Sequence, residues 1–315
     1  MKQITCKTPI STINFHLWEP CNMRCGFCFA TFQDVKPILP KGHLPKDEAL
    51  RLVRLLGESQ LFQKITFVGG EPTLCPWLLD LVKEAKKHGL KTCVVTNGTK
   101  ISENPEKWLS DFRPFLDQIA LSIDSLHADT NLRIGRAVVG KTIIPKEDYL
   151  RIIKTIHDYG FSLKINTVVN QFNFEEDFTD FIRTAKPKRW KIFQVLPIKG
   201  QNDTKINDFI ISDKQFADFI QKHQNIADIL DFVPETNNDI KGSYLMIDPA
   251  GRFFDNLNGT HEYGKPILEV GVQTALADNQ ASYEKFLERG GEYEIPQENL
   301  TSNYEVDSSA NLLTL

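Results

Sequence analysis

Short runs of β-branched and apolar residues alternate along the chain with longer stretches in which apolar residues recur every three or four positions, the pattern of a parallel α/β fold. Residues 12–17, 64–68, 91–96, 118–123, 161–168 and 189–196 read as six strands. Between them, residues 46–56 place Leu52, Val53, Leu55 and Leu56 on one helical stripe, and residues 145–159 do the same with Ile152, Ile153, Ile156 and Tyr159. Asn173 is positioned to cap a helix carrying Phe174, Phe178, Phe181 and Ile182. After Pro197 the rhythm changes to a polar loop, a helix opened by the Ser212 and Gln215 capping-box pair, and a hairpin from residues 243–247 and 252–254. The pattern predicts a parallel barrel core over residues 1–200, covered by an extension over residues 201–289. No fixed-period repeat interrupts it.

Length and charge narrow the classes. With 315 residues and 41% hydrophobic content, the chain buries a substantial core without staples. Its 37 bases against 41 acids, a net charge of −4, argue against a general nucleic-acid binder, whose footprint is basic. The acidity is local: Glu292, Glu294, Glu298, Glu305 and Asp307 all follow the last base, Arg289, and residues 1–289 hold 36 acids against 37 bases. Residues 290–315 therefore read as an acidic, flexible tail. No apolar run approaches the roughly 18–20 residues of a membrane helix, and no signal-peptide pattern opens the chain. A soluble, cytoplasmic monomer that touches neither membrane nor nucleic acid is expected.

Six cysteines are few for a secreted disulfide scaffold, and three of them form CxxxCxxC. Cys21, Cys25 and Cys28 follow the first strand directly, where a parallel barrel places its chemistry. Three thiolates on one loop suit zinc only with a fourth ligand, for which His16 and His43 are the candidates. They suit an iron–sulfur cluster of the 4Fe–4S type by leaving one iron open to a ligand. Phe27 ahead of the last cysteine makes the segment resemble the signature of the radical S-adenosylmethionine superfamily. Gly69, Gly70, Glu71 and Pro72 after the second strand resemble that superfamily's segment for the methionyl amino group of S-adenosylmethionine, although GGEP alone is also an ordinary turn. Glycines let backbone carbonyls approach a ligand, and a carboxylate suits an ammonium. Ser122 and Arg136 fit further cofactor contacts, and Thr96, Asn97 and Gly98 stand where a ribose could bind. Taken singly, Arg136 reads as a solvated charge and Asn-Gly as a turn. Cys6, Cys75 and Cys93 read as buried structural thiols.

Charged residues interrupt strands that should be apolar. Covered parallel strands usually run continuously apolar, yet Lys164 and Asn166 break the fifth, and Arg189 and Lys191 break the sixth. Each pair is spaced two apart, so strand periodicity sends it to one face, with Phe161, Leu163, Ile165, Trp190 and Ile192 on the other. Asn14 and Lys64 can join the same lumen. Cations gathered in a confined space cost several kcal/mol unless an anion compensates, which predicts a polyanionic ligand such as a triphosphate. The alternative leaves Lys64 and Arg189 in solvent and pairs Lys164 with a buried acid. Tyr244 in the hairpin can close over the ligand and supply a phenolic proton, or serve only as a strand aromatic.

With these residues assembled, the chain resembles the viperin family in its prokaryotic branch. The likeness runs through NFHLWEPCNMRCGFCF, KITFVGGEPTL, SIDSLHADTNLRIGR, LKINTVVNQFNFEED, RWKIFQVL, VPETN, GSYLMID and LERGGEY. It implies an α/β fold, a partial (β/α)6 TIM-type barrel with a C-terminal extension. It also implies cluster ligation by Cys21, Cys25 and Cys28, and S-adenosylmethionine binding by Phe27, Gly69, Gly70, Glu71, Pro72, Asn97, Ser122 and Arg136. The substrate contacts it implies are Asn14, Lys64, Val68, Lys164, Asn166, Arg189, Lys191 and Tyr244. Val68 replaces a serine of cytidine-specific members and cannot make that hydrogen bond, which leaves base choice among CTP, UTP and GTP open. The N-terminal amphipathic helix and terminal tryptophan tail of animal members have no counterpart here, so their membrane attachment is not expected.

The activity the resemblance implies is conversion of a ribonucleoside triphosphate to its 3′-deoxy-3′,4′-didehydro analogue. A 5′-deoxyadenosyl radical takes the 4′ hydrogen and the 3′ hydroxyl leaves as water, giving a chain terminator of viral RNA synthesis in antiphage defence. A flavodoxin- or ferredoxin-type electron donor is the implied partner. Two alternatives remain: a radical enzyme with another substrate, and a zinc-stabilised nucleotide-binding protein without chemistry.

Overall fold

The computed structural model describes residues 10–295. Its strands are β1 (Thr12–Trp18), β2 (Lys64–Gly69), β3 (Lys91–Thr96), β4 (Gln118–Ser122), β5 (Ser162–Val169), β6 (Arg189–Gln194), β7 (Asp231–Glu235), β8 (Leu245–Ile247), β9 (Arg252–Asp255) and β10 (Glu262–Pro266). They form one open sheet in the order β10-β9-β8-β1-β2-β3-β4-β5-β6-β7. Strands β1 to β7 are parallel to their neighbours, β8 runs parallel to β1, and β9 and β10 turn back antiparallel. The six predicted strands are present, each within two residues of its expected ends, and the partial α/β barrel is the observed architecture.

Strand parity explains the layering. Ile13, Phe15, Ile65, Phe67, Leu163, Ile165, Trp190 and Ile192 are buried outward against the helices. The helix Lys46–Glu58 meets them with Ala49, Leu52, Val53 and Leu56, and places Asp47 and Glu48 in its first turn, where the helix dipole favours acids. The helix Lys146–Asp158 packs through Tyr149, Ile152, Ile153 and Ile156. Ser212 and Gln215 form the expected reciprocal cap.

Two expectations change. Asn173 caps no helix: its side chain accepts from the Asn170 amide at 2.7 Å and donates to the Asp124 and Val168 carbonyls, and the helix starts later, at Thr179–Ala185. The Asn170–Asn173 turn satisfies the asparagine locally, so it no longer serves a helix N-terminus. The extension, in turn, does more than cover the barrel. It lengthens the sheet at both edges, adding β7 beside β6 and the β8–β9 hairpin beside β1. Pro234 lies within β7, and the edge position of that strand tolerates the missing amide. Among the described residues no helix is long and apolar enough to cross a membrane.

Candidate functional site

The loop after β1 carries Cys21, Cys25 and Cys28, all half-buried and none in a disulfide. Glycines mould it. A Cβ on Gly70 would stand 2.2 Å from the Glu19 carbonyl oxygen and 2.4 Å from that of Pro20, and one on Gly135 would stand 2.2 Å from that of Arg24. The Gly70 amide donates to the Trp18 carbonyl and the Glu71 amide to the Pro20 carbonyl. GGEP is therefore the clamp that fixes the cysteine loop to the end of β2. Replacing Gly70 by alanine is expected to prise the loop away at a cost of about 1–3 kcal/mol or more. Iron content after anaerobic reconstitution checks this, with a fall well below the wild-type ratio expected.

Glu71 is buried, and its carboxylate accepts from the Thr73 amide and hydroxyl, from the Thr96 hydroxyl at 2.6 Å and from the Asn97 amide at 2.8 Å. It braces β2 to β3, with three of these donors on Oε1 and only one on Oε2. Burial raises its pKa despite them. Asn97 is likewise committed: it donates to Asn22 Oδ1 at 2.9 Å and accepts from the Thr99 amide and hydroxyl. Its side chain orders the cysteine loop, so its nearest part in ligand binding is through that loop. Arg136 is no solvated charge, because it pairs with the buried Asp124, whose other oxygen accepts from the Val168 amide at 2.8 Å. Ser122 ends β4 half-buried on the lumen side.

The thiols test what the loop can hold. Burial pushes Cys21 up to about 11 and Cys25 up to about 12, so a thiolate there needs a cation beside it. His43 stacks on Trp18 at 4.2 Å, and His16 lies among Phe29, Phe32 and Phe254. Among the described residues, no three His, Cys, Asp or Glu side chains converge as ligands to a single ion. A trio of soft donors without a fourth fits a cluster that offers each thiolate its own iron and keeps one iron open.

The cation set converges as parity predicted. Register places Asn14 beside Thr66, Ala120 beside Lys164, Ser122 beside Asn166, Lys164 beside Arg189 and Asn166 beside Lys191, all on the lumen face. Val68, beside His16, lies half-buried on that face. Lys64, Arg189 and Lys191 are buried, which removes the reading that put Lys64 and Arg189 in solvent. Lys191 pairs with the buried Glu235 and donates to the Tyr244 hydroxyl at 2.6 Å, and Tyr244 donates to Glu235 at 2.5 Å. Arg289 reaches Glu235 at 3.4 Å and lies 3.7 Å over the Tyr244 ring. Burial would raise the Glu235 carboxyl, but the Lys191 and Arg289 cations outweigh it and hold it below the usual range. Lys164 makes no ion pair or hydrogen bond among the described residues, and Asn166 Oδ1 and Arg189 Nε are buried without partners.

The tail expectation is corrected in part. The Gly290 carbonyl accepts from Arg189, and the Tyr293 hydroxyl donates to Gln118 at 2.7 Å and bonds Lys64. The Tyr293 ring lies 4.2 Å from Lys64 and 4.1 Å from Arg189. Tyr293 thus reaches the residues that open β2, β4 and β6, while Glu292 and Glu294 stay exposed, and its aromatic face partly compensates cations that repel one another. Residues 296–315, and Cys6 of the unassigned thiols, lie outside the described residues. Cys75 and Cys93 are buried as expected, Cys93 on the lumen face beside Gln118.

Sequence reasoning missed Gln118, Asp124, Glu235, Arg289 and Tyr293. The two-residue spacing that located Lys164 and Asn166 also applies to Gln118 and Ser122, whereas Pro234 hides the strand that carries Glu235. A separate groove of about 870 Å³, lined by Gln194, Phe216, Pro234 and Asn237 among others, holds none of the lumen cations.

Residues 18–185 match the Radical SAM superfamily. The chain is 55% identical over 285 residues to a protein of Lacinutrix mariniflava named S-adenosylmethionine-dependent nucleotide dehydratase, covering 90% of this chain and 58% of that one. It is 50% identical over 295 residues to a protein of the same name from Flammeovirga pacifica, covering 93% and 99%. The solved structure of anSMEcpe with bound AdoMet superposes with a TM-score of 0.64 at 14% identity over 87% of this chain and 79% of that one, a likeness of fold alone.

Proposed function

The chain belongs to the radical SAM superfamily and, within it, to the S-adenosylmethionine-dependent nucleotide dehydratases, and from that premise we propose that it removes water from a ribonucleoside triphosphate to give the 3′-deoxy-3′,4′-didehydro nucleotide. The observation that carries the reading is the lumen: Lys64, Lys164, Arg189 and Lys191 share the inner face of the sheet whose first strand ends in the three-cysteine loop, and among the described residues Lys164 makes no ion pair or hydrogen bond and Asn166 Oδ1 has no partner. When bound through Cys21, Cys25 and Cys28, a 4Fe–4S cluster with S-adenosylmethionine supplies the one-electron chemistry that takes the 4′ hydrogen.

The chain's own residues do the rest. The Gly69–Gly70 backbone and the Glu71 carboxylate would hold the cofactor's amino group, and Arg136, oriented by Asp124, would hold its carboxylate. Lys164, Lys191 and Arg189 hold the triphosphate, which fixes the ribose and excludes water around it. Tyr244 is held between Lys191 and Glu235, so a phenolic proton lost at its oxygen is replaceable from that pair. A product without a 3′ hydroxyl cannot be extended by an RNA polymerase, which supports a role in stopping viral transcription. Departure of the 3′ hydroxyl as water takes up one proton, and one further electron completes the closed-shell product, so a one-electron donor protein is the remaining requirement.

An anaerobic assay with dithionite, S-adenosylmethionine and CTP, UTP, GTP or ATP separately tests the reading. At least one nucleotide is expected to raise 5′-deoxyadenosine above the uncoupled background and to lose the mass of water. If none does, the reading fails.

The lumen also predicts a pH dependence. Burial, reinforced by neighbouring cations, lowers Lys64 to about 7 and Lys164 to about 8. A triphosphate favours their charged forms, so binding takes up protons between about pH 7 and pH 10 and weakens as pH rises through that window. Calorimetric titration of CTP in buffers of different ionisation heat is expected to show proton uptake by these lysines at pH 8 that is absent at pH 6.

A further inference from the structure

On the outer side of the cysteine loop lies a groove of about 730 Å³, lined by Arg24, Gly26, Arg133, Phe172, Lys205 and Phe209 with other residues. Its floor is thin. A Cβ on Gly26, between Cys25 and Cys28, would stand 2.5 Å from the Phe209 ring, so that ring lies directly on the backbone of the ligand loop. Phe209 meets Phe27 edge-on at 5.7 Å and Phe172 at 5.1 Å, a line of aromatic rings from the groove to the residue before Cys28. Phe172 is half-buried, and the Arg133 guanidinium covers it at 4.1 Å.

The groove's charge is at odds with the chain's. Arg24, Arg133 and Lys205 line it against one acid, Asp208, and all four are exposed, on a chain of net charge −4. Arg24 also donates to the Cys21 and Met23 carbonyls, so one of these charges is tied to the loop itself.

We propose that this groove is the docking face for a small acidic one-electron carrier protein, which passes an electron through the Phe172–Phe209–Phe27 line to the group held by the three cysteines. The carrier is oxidised by one electron, the acceptor is reduced by one, and no proton moves. A basic rim steers an acidic partner, and the aromatic line replaces a gap with close-packed π systems. The inference rests on the proposed radical chemistry for its purpose, but the docking itself does not depend on turnover.

Two probes serve, a flavodoxin and a plant-type ferredoxin, each acidic. With wild-type protein, at least one is expected to bind by calorimetric titration, weakening about tenfold or more between 50 and 200 mM salt. Zero-length carbodiimide coupling of that pair is expected to join Lys205 to a carrier carboxylate. The double variant Arg133→Glu with Lys205→Glu is expected to weaken binding and carrier-driven reduction by about tenfold or more, while dithionite-driven product formation is unchanged. Binding by the double variant equal to wild type, crosslinks mapping away from the groove, or no binding of either carrier would overturn the proposal. Absence of dithionite-driven product from wild type would instead sink the proposed function and leave the docking result standing.

Discussion

Glu235→Gln is expected to destabilise the nucleotide-free protein by about 3–5 kcal/mol, the cost of removing one partner of a buried ion pair. The side chain is fully buried and is the shared partner of Lys191, Arg289 and Tyr244. Glutamine keeps the shape but presents an amide N–H to groups that are already donors, so two cations lose their counter-charge at once. The consequence for the ligand has the opposite sign. A lumen with one fewer negative charge attracts a triphosphate more strongly, so saturating CTP is expected to recover more stability in the variant than in wild type. Denaturant midpoints with and without CTP measure both effects. Equal midpoints for variant and wild type without nucleotide would show that Glu235 is not the lumen's counter-charge.

The same residue shows where sequence reading stops. Lys164, Asn166, Arg189 and Lys191 were legible because a two-residue period in a short parallel strand admits only two faces, and the apolar residues claim one of them. The CxxxCxxC loop was legible because its ligands are local. Glu235 was not, because β7 is an edge strand that carries a proline and the cations that pair with Glu235 lie 44 and 54 residues away. GGEP was recognised from its resemblance, but its glycines prove to be required by the close approach of the Glu19 and Pro20 carbonyls, a contact between two loops that no local pattern encodes. Tyr293 was hidden for another reason: acidic, polar composition is the usual mark of a free tail, and what draws this residue in is contact with Lys64 and with Arg189, which also pairs with Asp231.

Lys164→Met separates stability from function, because the two changes are expected to have opposite signs. Lys164 extends from β5 beside Arg189 with no ion pair or hydrogen bond among the described residues, and burial with its neighbours holds it at about 8. Methionine keeps the length and removes the charge, so the nucleotide-free chain is expected to gain about 1–3 kcal/mol at pH 7. The sign follows from linkage: a lysine held below its unfolded value opposes folding while protonated, and the opposition fades as pH rises from about 8 towards 10. The variant's advantage is therefore expected to vanish near pH 10. Triphosphate affinity is expected to fall by about 30-fold or more, the usual scale for deleting one member of a buried charge pair. A variant that lost stability and affinity together would mean that Lys164 is a structural cation with a partner of its own. A variant that gained stability and still bound CTP as wild type would place the triphosphate elsewhere than in this lumen.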